Sequence, residues 1–551
     1  MSFSSLLHNI ADAEQGPKTC AVFDFDGTII SGYSATAFLK DQIARGEISP
    51  ADLVQLTQAT TRFGIGSLGF SALMAVHAQY LAGRSETDYI ANSERLFRRA
   101  IAKLIYPEAR QLIEAHRAAG HSIAIISSAT PYQVLPAAKD LGIGHVYATD
   151  LEVEDGQFTG GVVQPTCFGI GKVHAAERFV AQQGGDLENC FFYSDSIDDI
   201  ELLETAGCPV VLNGSRELKK TAREAGWPMA DFSSRGNATG SQVVRSLAAT
   251  GSLVGSFMMG LPLYALSGSQ RDSLNFSISL FAETASALIG LDLDVRGREH
   301  LWKQRPAIFM FNHQSNADML IMASLIRRDI VGVGKRELKN LPVAGPLMGA
   351  AGVVFIDRSD RRAAIETMKP LVKAMQEAKK SLVIAPEGTR APTRKLGAFK
   401  KGGFHVAIQS GVPIVPVVIH NSGDISPKGD KIFRNGTVHI DILPAIQTTN
   451  WSVANIDEHV AEVRNAFLRT LGQPELSAEE TARARRDTPD DLKPEVRGRR
   501  SKPRLKKAAI EPSKQDSAPS ARRGKRGVSP NGVRSAGSKN GFDPEAPATR
   551  H

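Results

Sequence analysis

The chain has 551 residues, 42% hydrophobic and 23% charged, which is typical of a globular protein with about three domains. Its cysteines form no CxxC pair and have no histidine at zinc-site spacing, so a disulfide scaffold and a zinc protein are excluded and reduced thiols are expected. The first residues lack a basic stretch followed by an apolar one, so no signal peptide is expected. The net charge of +8 is uneven, because residues 476–551 hold 19 Lys and Arg against 10 Asp and Glu.

Up to about residue 230, short apolar runs alternate with helical patterns. The alternation predicts a parallel sheet with crossover helices, and hence an N-terminal α/β domain over residues 1–230. Between the first run and Pro107 lies a mostly helical stretch that is too long for a single crossover. It predicts an inserted helical cap over about residues 31–106. The apolar runs are 20–23, 122–126, 190–193 and 209–212.

The first apolar run ends in two aspartates, within AVFDFDGTII. Asp24 and Asp26 are two apart on an extended chain, so their side chains point to the same side. Like charges this close are unfavourable unless a cation or a shared proton relieves them. A hard divalent ion that takes oxygen ligands, such as Mg²⁺, would do so.

Three further polar signals follow in the same region. Ser128 comes after the second apolar run and before Ala-Thr-Pro, and Lys172 opens the helical pattern of FGIGKVHAAERF. Asp195 and Asp199 are four apart in YSDSIDDIELL, at another strand end. Each signal alone fits a helix cap, a surface lysine or a solvated turn. Four signals in order, each at a strand end or a helix start, favour a catalytic site.

Together these residues resemble the haloacid-dehalogenase-like phosphatases, in their phosphoserine-phosphatase-like branch (subfamily IB), across about residues 18–230. The resemblance implies that Asp24 is the nucleophile that forms an aspartyl-phosphate and that Asp26 is the general acid and base. It implies that Ser128 and Lys172 hold the phosphoryl oxygens of a phosphomonoester. The implied Mg²⁺ site comprises Asp24, Asp26, Asp195 and Asp199.

Two features depart from that family's pattern. Ser194 stands where a glycine is usual, and Ser127 lies beside Ser128, which leaves two serines for the phosphate. Ser128 is preferred because the Ala-Thr-Pro that follows it matches the family. The cap decides the substrate in this family, and its apolar pieces either exclude an amino-acid substrate or form the core of the cap.

A linker rich in Gly, Ser and Asn is expected over residues 231–245, followed by two apolar segments over residues 246–290. The first segment has about 25 residues without charge, which is long enough to span a bilayer, although Pro262 and several Gly and Ser lower its hydrophobicity. The second is interrupted by Glu283. Two interpretations remain: a membrane-embedded or interfacial helical hairpin, or a buried pair of core helices.

Strands and helices alternate again over residues 291–475, which predicts a second α/β domain. Here the stretch FNHQSNAD follows the apolar run 307–310 and places His313 and Asp318 five residues apart. Active sites of open α/β proteins lie at such strand ends. An imidazole that is oriented by a carboxylate through one nitrogen can act as a base through the other.

Anion-binding signals accompany this pair, in FIDR and in VIAPEGTR. Gly388 lets the backbone approach an anion, while Arg358 and Arg390 offer planar donors suited to phosphate. Lys400 and Lys401, in AFKKGG, are weaker candidates. The predicted substrate-binding set is Arg358, Glu387, Gly388, Thr389 and Arg390.

This second set resembles the glycerolipid acyltransferases, in the 1-acylglycerol-3-phosphate (lysophosphatidate) branch, over about residues 246–445. The resemblance implies acyl transfer from acyl-CoA or acyl carrier protein to lysophosphatidate, giving phosphatidate. It implies that His313 deprotonates the acceptor hydroxyl and that Asp318 steadies the imidazole. The helix pair with which this family dips into the membrane agrees with residues 247–290 and favours the membrane interpretation.

The remaining residues, 476–551, are rich in Pro, Gly, Ser and Arg and poor in residues that form a core, so a disordered basic tail is expected. Its clusters could bind anionic membrane lipids or simply keep the chain solvated. Nucleic-acid binding is not expected, because the folded part has no matching basic, aromatic-rich element.

The combined prediction is a membrane-associated bifunctional enzyme at the cytoplasmic face of the cell membrane, with two α/β domains. Its expected partners are lysophosphatidate, an acyl thioester, a phosphomonoester and acyl carrier protein. Three alternatives stay open. The N-terminal domain could sense a phosphate ligand without turnover, the acceptor could be glycerol-3-phosphate or another lysophospholipid, or the chain could be a membrane scaffold.

Overall fold

The structure is a computed structural model and describes residues 2–65, 67–356 and 361–487. This part of the chain contains two α/β domains. In the sequence they are separated by two long consecutive helices that cover residues 240–289. The predicted fold class, two α/β domains with a helical cap on the first, is confirmed. The domain boundaries given above stay predictions.

The first domain is built on a parallel sheet whose central strand is β1. Within the described residues its strand order is β3-β2-β1-β6-β7-β8, and β4 and β5 form a separate antiparallel pair. All four residues of β1 are buried, as expected for a parallel strand that is covered on both faces. The strands are β1 (Cys20–Phe23), β2 (Ser122–Ile126), β3 (His145–Tyr147), β4 (Leu151–Glu154), β5 (Gln157–Val162), β6 (Cys190–Ser194), β7 (Cys208–Leu212) and β8 (Met229–Ala230).

Helices cover this sheet and form the cap, which comprises α2 to α5 and lies between β1 and β2 in the chain. The cap helices start where the sequence offers side-chain caps, for example at Ser49, which forms a reciprocal capping box with Asp52. The helices are α1 (Phe3–Asp12), α2 (Ser34–Ala44), α3 (Pro50–Gly64), α4 (Phe70–Gln79), α5 (Glu86–Leu96), α6 (Pro107–Ala118), α7 (Pro131–Leu141), α8 (Ile170–Gln182), α9 (Ile200–Thr205) and α10 (Arg216–Ala225).

The helix pair that follows is α11 (Gly240–Ser267) and α12 (Gln270–Ile289). The two helices pack closely at Gly260, where a Cβ atom would lie 2.1 Å from the Ser277 hydroxyl, and Ser273 donates to the Gly260 carbonyl at 2.7 Å. The last turns of α12 are buried in the core of the second domain through small and aliphatic side chains, including Ala285 and Ile289. Among the described residues, α11 is the helix long and apolar enough to cross a membrane, and 22% of its most apolar window is buried.

The second domain has a larger sheet, of order β12-β11-β13-β10-β14-β15-β9 within the described residues. Its pairings are parallel except for β14 with β15. The strands are β9 (Leu291–Arg296), β10 (Ile308–Phe311), β11 (Ile330–Lys335), β12 (Val354–Ile356), β13 (Ser381–Ile384), β14 (Ile414–Ile419) and β15 (Gly436–Ile442). The helices are α13 (His300–Lys303), α14 (Ala317–Ile326), α15 (Ala344–Ala350), α16 (Arg361–Gln376), α17 (Gly402–Ser410) and α18 (Ile456–Thr470).

One segment differs from the expected tail. Residues Ala478–Asp487 form a helix, α19, that packs on α18, and Thr481 is buried there with an exposed fraction of 1%. Arg485 donates to Asp457 at 2.9 Å, so ordered structure extends about ten residues into the segment expected to be disordered. The rest of the predicted tail lies outside the described residues. The four cysteines, Cys20, Cys167, Cys190 and Cys208, are free, as predicted.

Candidate active sites

The first candidate site lies at the carboxyl ends of β1 and β6. Asp24 directly follows β1, and its amide donates to the Tyr193 carbonyl at 2.9 Å, which continues the pairing of the two strands. Its carboxylate is 5% exposed. Lys172, in the first turn of α8, reaches the same point from a neighbouring crossover. The parallel topology therefore brings residues 148 positions apart to one sheet edge.

Lys172 joins two of the predicted carboxylates. Its Nζ lies 2.9 Å from Asp24 Oδ1 and 2.8 Å from Asp199 Oδ1, and all three side chains are buried. Ser194 Oγ donates to Asp199 at 2.6 Å. Burial raises the pKa of Asp24, and the Lys172 ammonium opposes that rise. Asp199 thus bonds Lys172 and Ser194, and its assignment to the metal stays a prediction.

Asp26 is held by the start of the first cap helix. The Ser34 amide donates to its Oδ1 at 2.7 Å and the Ser34 hydroxyl to its Oδ2 at 3.0 Å. Burial raises the pKa of Asp26 to about 7, even though these hydrogen bonds favour the ionised form. A carboxyl group with a pKa near neutrality can both donate and accept a proton at physiological pH.

Asp195, which is half-buried, completes a group of carboxylates around the glycine that follows Asp26. Gly27 has φ +80°, and a Cβ atom there would lie 2.1 Å from Asp195 Oδ2, so only glycine allows the carboxylate to come this close. Thr28 donates to Asp195 at 3.2 Å. Burial, together with the negative charge of Asp24, raises the pKa of Asp195 to about 8.

A divalent cation fits this charge distribution. Asp24, Asp195 and Asp199 place three carboxylates against the single ammonium of Lys172, and a hard cation with oxygen ligands would relieve the excess. Side chains alone do not complete a cage, because no group of three or more His, Cys, Asp or Glu in the described ranges is arranged to hold a metal ion. The four predicted ligands are therefore only partly brought together: the carboxylate of Asp26 bonds Ser34, which leaves its backbone carbonyl as the available oxygen.

The two adjacent serines after β2 differ in their contacts. Ser127 is buried and its hydroxyl accepts the Ala129 amide at 3.2 Å, so it stabilises the turn. Ser128 is half-buried, and the described part of the chain gives its hydroxyl no hydrogen bond. Of the two, Ser128 has the hydroxyl that is available to a ligand.

The second candidate site lies where β10 runs into α14. His313 Nδ1 and Asp318 Oδ2 are 2.7 Å apart, and the Asp318 side chain is fully buried while the imidazole is 21% exposed. The same Asp318 oxygen accepts the amides of Gln314 and Ser315, each at 2.8 Å. The loop thus wraps around the carboxylate, which fixes the imidazole and leaves its other nitrogen directed away from the pair.

The predicted substrate-binding residue Glu387 has a different contact from the one expected. Its carboxylate accepts the His313 amide at 2.7 Å and the Gly397 amide at 2.9 Å, and its exposed fraction is 5%. Burial raises the pKa of Glu387 to about 7, against the effect of the two amide donors. Glu387 therefore joins the histidine loop to the loop that follows β13, rather than offering a carboxylate to a ligand.

Beside Glu387, two cations line the loop. Gly388 has φ +72°, and a Cβ atom there would lie 3.0–3.2 Å from the end of the Lys400 side chain. Arg390 donates to Asn316 Oδ1 at 2.5 Å, and burial lowers the pKa of its guanidinium. Thr389 is exposed. Arg358, predicted from FIDR, lies outside the described residues.

Several contacts were not predicted from the sequence. Ser34 and Ser194 each hold a carboxylate of the first site, and Asn316 holds Arg390 in the second. Asn312 bonds the Ile419 backbone twice, at 2.7 Å each, and ties the ends of β10 and β14 together. Both asparagines belong to FNHQSNAD, where polar residues on either side of the histidine indicate a structured loop. No such pattern in the sequence marks the two serines.

Comparison with known proteins matches both halves of the chain. The model of the haloacid dehalogenase-like hydrolase family matches residues 21–204, and that of the acyltransferase family matches residues 292–420. The chain is 35% identical over 212 residues to 1-acyl-sn-glycerol-3-phosphate acyltransferase of Saccharomyces cerevisiae, covering 38% of this chain and 69% of the yeast protein.

Two relatives from Mycobacterium tuberculosis match the other half. A probable phosphatase is 34% identical over 219 residues, which cover 39% of this chain and 76% of the relative. A phosphoserine phosphatase is 33% identical over 217 residues, which cover 38% and 70%. The chain spans about two thirds of the length of the curated acyltransferases that it matches. The chain therefore combines a domain of a hydrolase family with a domain of an acyltransferase family.

Each half thus shares a third of its residues with relatives whose length it largely spans, and each has its polar residues at the sheet edge where that family's chemistry is expected. The chain belongs to the haloacid dehalogenase-like hydrolases through its N-terminal domain and to the 1-acylglycerol-3-phosphate acyltransferases through its C-terminal domain.

Proposed function

We propose that the C-terminal domain transfers an acyl chain from acyl-CoA or acyl carrier protein to 1-acylglycerol-3-phosphate, giving phosphatidate. The observation that supports this most directly is the 2.7 Å contact of His313 Nδ1 with the buried Asp318, in a loop that Glu387 joins to the EGTR segment. In that contact the Nδ1–H of His313 donates to the Asp318 carboxylate, which leaves Nε2 unprotonated as the base.

In this mechanism, Nε2 of His313 removes the proton from the acceptor hydroxyl as its oxygen attacks the thioester carbonyl carbon. The C–S bond then breaks, and the leaving thiolate takes the proton back from His313. Arg390, with Lys400 beside Gly388, binds the phosphate of the acceptor. Glu387 acts on the reaction only by positioning the histidine loop.

The N-terminal domain, in the same proposal, hydrolyses a phosphomonoester. Asp24 attacks phosphorus and forms an aspartyl-phosphate, while Asp26 protonates the leaving oxygen and then removes a proton from the water that releases phosphate. Lys172 and Ser128 bind the phosphoryl oxygens. Asp24, Asp195 and the backbone carbonyl of Asp26 would hold Mg²⁺, which supplies positive charge against the phosphate when bound.

Membrane association is proposed through α11. One face of this helix exposes large apolar side chains, among them Met258, Met259, Leu261 and Leu266, with exposed fractions of 60–87%. An apolar surface of this kind on a helix of 28 residues favours insertion into the acyl region of a bilayer. The sites would face the cytoplasm, which holds acyl thioesters.

The acyl-transfer proposal is tested with His313→Ala in an assay of lysophosphatidate and acyl-CoA. We expect transfer to fall by about 10²–10⁴-fold, the usual contribution of a general base. The matched control is His439→Ala, which removes another histidine paired with an aspartate at 2.9 Å, on the exposed face of β15. Unchanged transfer in His313→Ala would exclude this mechanism.

The phosphatase proposal is tested with Asp24→Asn, which should abolish phosphate release from p-nitrophenyl phosphate. Asp198→Asn is the matched control, because Asp198 stands in the same loop as Asp195 and makes only a hydrogen bond with Ser196. Phosphate release by Asp24→Asn at the rate of the unmodified protein would contradict the nucleophilic role. Binding of p-nitrophenyl phosphate by the unmodified protein without any turnover would favour the sensor alternative.

Membrane association is tested by flotation with vesicles of phosphatidylcholine and phosphatidylglycerol. A double variant, Met258→Lys with Leu261→Lys, should stay with the unbound fraction. Val54→Lys, on the cap helix α3, is the matched control, because Val54 is 55% exposed. Flotation of the double variant with the vesicles would contradict insertion through α11.

A further inference from the structure

A cavity of about 510 Å³ lies between the two domains. Its walls come from four parts of the chain: the loop between Asp26 and the cap, the turn at Lys103 and Leu104 after α5, the segment before α11, and the loop between β14 and β15. The polar side chains that line the cavity are those of Ser31, Lys103, Arg235, Asn237, Asp430 and Arg434.

The wall on the phosphatase side is continuous with the phosphatase site. Ser31 stands three residues before Ser34, which binds the carboxylate of Asp26. The Gly27 amide donates to the Gly32 carbonyl at 3.1 Å, and the Ser31 amide donates to the Leu104 carbonyl at 2.9 Å. These bonds fix the cavity wall to the loop that contains the proposed acid and base.

The wall on the acyltransferase side is continuous with the acyltransferase site. Asn316, in the histidine loop, donates to the Asp430 carbonyl at 3.0 Å and accepts from Arg390. Ser315 donates to the Ser426 carbonyl at 2.8 Å. On each side, one hydrogen bond therefore joins the cavity wall to a catalytic loop: Gly27 to Gly32 on the phosphatase side and Asn316 to Asp430 on the acyltransferase side.

Contacts between the domains hold the two walls at a fixed separation. Arg235 is 9% exposed and donates to the carbonyls of Gly423 and Asp424, at 3.3 and 3.1 Å. Arg394, which donates to Asp424 of its own domain at 2.8 Å, also donates to Glu114 of the phosphatase domain at 3.4 Å. A buried arginine of the linker that bonds backbone carbonyls of the acyltransferase domain is costly to remove, so the linker is held firmly on that domain.

The lining of the cavity is cationic, with three basic side chains and one acidic one. Arg434 is paired with Asp430 at 2.6 Å and Arg235 with Asp424 at 3.6 Å. Lys103 is exposed and forms no ion pair with any residue that the structure describes. A phosphate group in the cavity would therefore meet an uncompensated ammonium.

Apolar side chains border the phosphatase site. Tyr33 and Ile170 are 68% and 56% exposed, directly before Ser34 and two residues before Lys172. Phe168 stacks on Phe70 of the cap, with ring centroids 4.4 Å apart. Exposed apolar groups at the edge of a phosphate site suit a substrate whose phosphate is attached to an apolar body.

We propose that the substrate of the phosphatase domain is the lipid phosphomonoester made by the acyltransferase domain, and that its head group passes through this cavity. The inference rests on the proposed function and deepens it. Water is the co-reactant: the bond between phosphorus and the glycerol oxygen breaks, the oxygen gains a proton, and diacylglycerol and inorganic phosphate are released. Lysophosphatidate and an acyl thioester would thus give diacylglycerol on one chain.

The test uses the full chain in vesicles of phosphatidylcholine and phosphatidylglycerol that contain lysophosphatidate, with acyl-CoA labelled in its acyl chain, and Mg²⁺. A second arm adds a large excess of unlabelled phosphatidate to the vesicles. We expect labelled diacylglycerol in both arms, at nearly the same rate, because phosphatidate that passes directly between the sites does not mix with the added pool.

Two variants test the path itself. Lys103→Glu reverses the unpaired charge and Asn237→Trp narrows the cavity, and both positions are exposed, so the fold should tolerate them. In the arm with added phosphatidate we expect Lys103→Glu to lower labelled diacylglycerol by about tenfold, the lower end of electrostatic focusing effects. We expect Asn237→Trp to lower it as well, by obstructing the cavity. Lys220→Glu, an exposed lysine on α10, is the matched control. Each variant is also assayed for acyl transfer and for hydrolysis of p-nitrophenyl phosphate.

The outcomes are distinguishable. Labelled phosphatidate without diacylglycerol, while p-nitrophenyl phosphate is hydrolysed, overturns this inference and leaves the proposed function intact. Diacylglycerol whose label is fully diluted by the added pool overturns the direct path. Absence of acyl transfer, or of p-nitrophenyl phosphate hydrolysis, contradicts the proposed function and the inference together.

Discussion

The two candidate sites both place aspartates near the carboxyl end of a parallel strand, but the protein balances their negative charge in different ways. In the acyltransferase site, one oxygen of Asp318 receives two backbone amides at 2.8 Å and lies 2.7 Å from the His313 ring. In the phosphatase site, Asp24 and Asp199 share the ammonium of Lys172, and Asp195 accepts the Thr28 hydroxyl and its own backbone amide.

The difference reflects what each site has to do. A carboxylate that orients a base must stay in one state throughout the reaction, so it is surrounded by donors from its own loop. Carboxylates that hold a cation, or attack a phosphate, must exchange partners during turnover, and their charge is therefore left incompletely balanced by the protein. The loop of the acyltransferase site supplies donors to one oxygen of Asp318, while the other oxygen is buried with no hydrogen bond among the described residues. In the phosphatase site, by contrast, Asp24 and Asp199 share one ammonium.

The largest expected effect comes from Asp318→Asn, which removes the negative charge beside His313. The asparagine is neutral, so it binds the imidazole N–H more weakly and no longer stabilises the imidazolium that forms when His313 takes the proton from the acceptor. We expect acyl transfer to fall by about 10³–10⁴-fold with little change in lysophosphatidate binding. The measurement is the release of CoA thiol under saturating substrates.

Asp441→Asn is the control for that experiment. Asp441 lies 2.8 Å from His420 in the same sheet but away from the histidine loop, so its loss tests the general effect of removing a carboxylate from a His–Asp pair. Equal losses in the two variants would mean that the Asp318 contact stabilises the domain and does not orient a base.

The next effect concerns the charge balance of the phosphatase site. Lys172→Met removes the ammonium that Asp24 and Asp199 share and leaves both buried carboxylates without it. We expect the phosphatase domain to lose about 3–5 kcal/mol of stability, the usual cost of breaking a buried pair from one side. Hydrogen exchange of peptides from β1 and β6, compared with those from β10, measures the loss in this domain alone.

Lys220→Met, at an exposed position on α10, is the matched control, and it should leave exchange in β1 unchanged. Retained protection of β1 and β6 in Lys172→Met would mean that the carboxylates are neutralised without the lysine. The protein would then balance the negative charge of its aspartates in a similar way in the two sites.

The sequence predicted both sheets and both strand-end sites because apolar runs and polar residues directly after them are local signals. The positions of Asp24, Lys172 and the His313–Asp318 pair follow from such signals. The partners of those residues do not, because they come from distant loops. Ser34, which binds Asp26, is an ordinary helix-start serine in the sequence, and only the folded chain brings it there.

For the same reason, the hydrogen bonds of two predicted site residues could not be read from the sequence. Glu387 was assigned to substrate binding because it precedes Gly388, yet the fold turns its carboxylate to the amides of His313 and Gly397. Asp199 was assigned to the metal, yet Lys172 and Ser194 bind it. A carboxylate in a motif does not reveal from sequence whether it faces a ligand or the backbone.

A third prediction concerns Mg²⁺, which would supply positive charge to the carboxylates of the phosphatase site. If the phosphatase site is incomplete by itself, Mg²⁺ at about 100 times its dissociation constant should stabilise this domain by about 2.7 kcal/mol. Hydrogen exchange in β1 and β6 would slow, whereas exchange in β10 would not change. Asp195→Asn should remove the effect, and Asp186→Asn, at the exposed turn before β6, should keep it. Equal Mg²⁺ protection in Asp195→Asn would contradict the assignment of Asp195 to the cation.

The smallest expected effect compares two imidazoles. His313 lies against a carboxylate, whereas His116 is buried in a neutral network beneath the phosphatase sheet. The Tyr193 hydroxyl donates to His116 Nε2 at 2.8 Å, and His116 Nδ1 lies 2.8 Å from His121 Nδ1. His121 Nε2 in turn lies 3.1 Å from the Glu14 carbonyl. With neutral rings, His121 donates to that carbonyl and His116 donates to His121, so every polar atom is satisfied.

Burial, with a contribution from His121, lowers the pKa of His116 from 6.5 to about 3. Because the unfolded chain then binds the proton more readily, the stability of this domain is full above pH 6.5 and falls as the pH decreases toward 3. At about 1.4 kcal/mol per pH unit, the loss between pH 6.5 and pH 5 is about 2 kcal/mol. Hydrogen exchange of β1 and β6 at the two pH values, corrected for the intrinsic rate, measures it.

His116→Gln should remove most of this pH dependence, even though it lowers stability at every pH by disturbing the network. His8→Gln, on the exposed face of α1, keeps the pH dependence and serves as the control. A slope in His116→Gln equal to that of the unmodified chain would mean that other groups titrate in this range. The neutral imidazole would then give the phosphatase domain no acid sensitivity beyond that of its carboxylates.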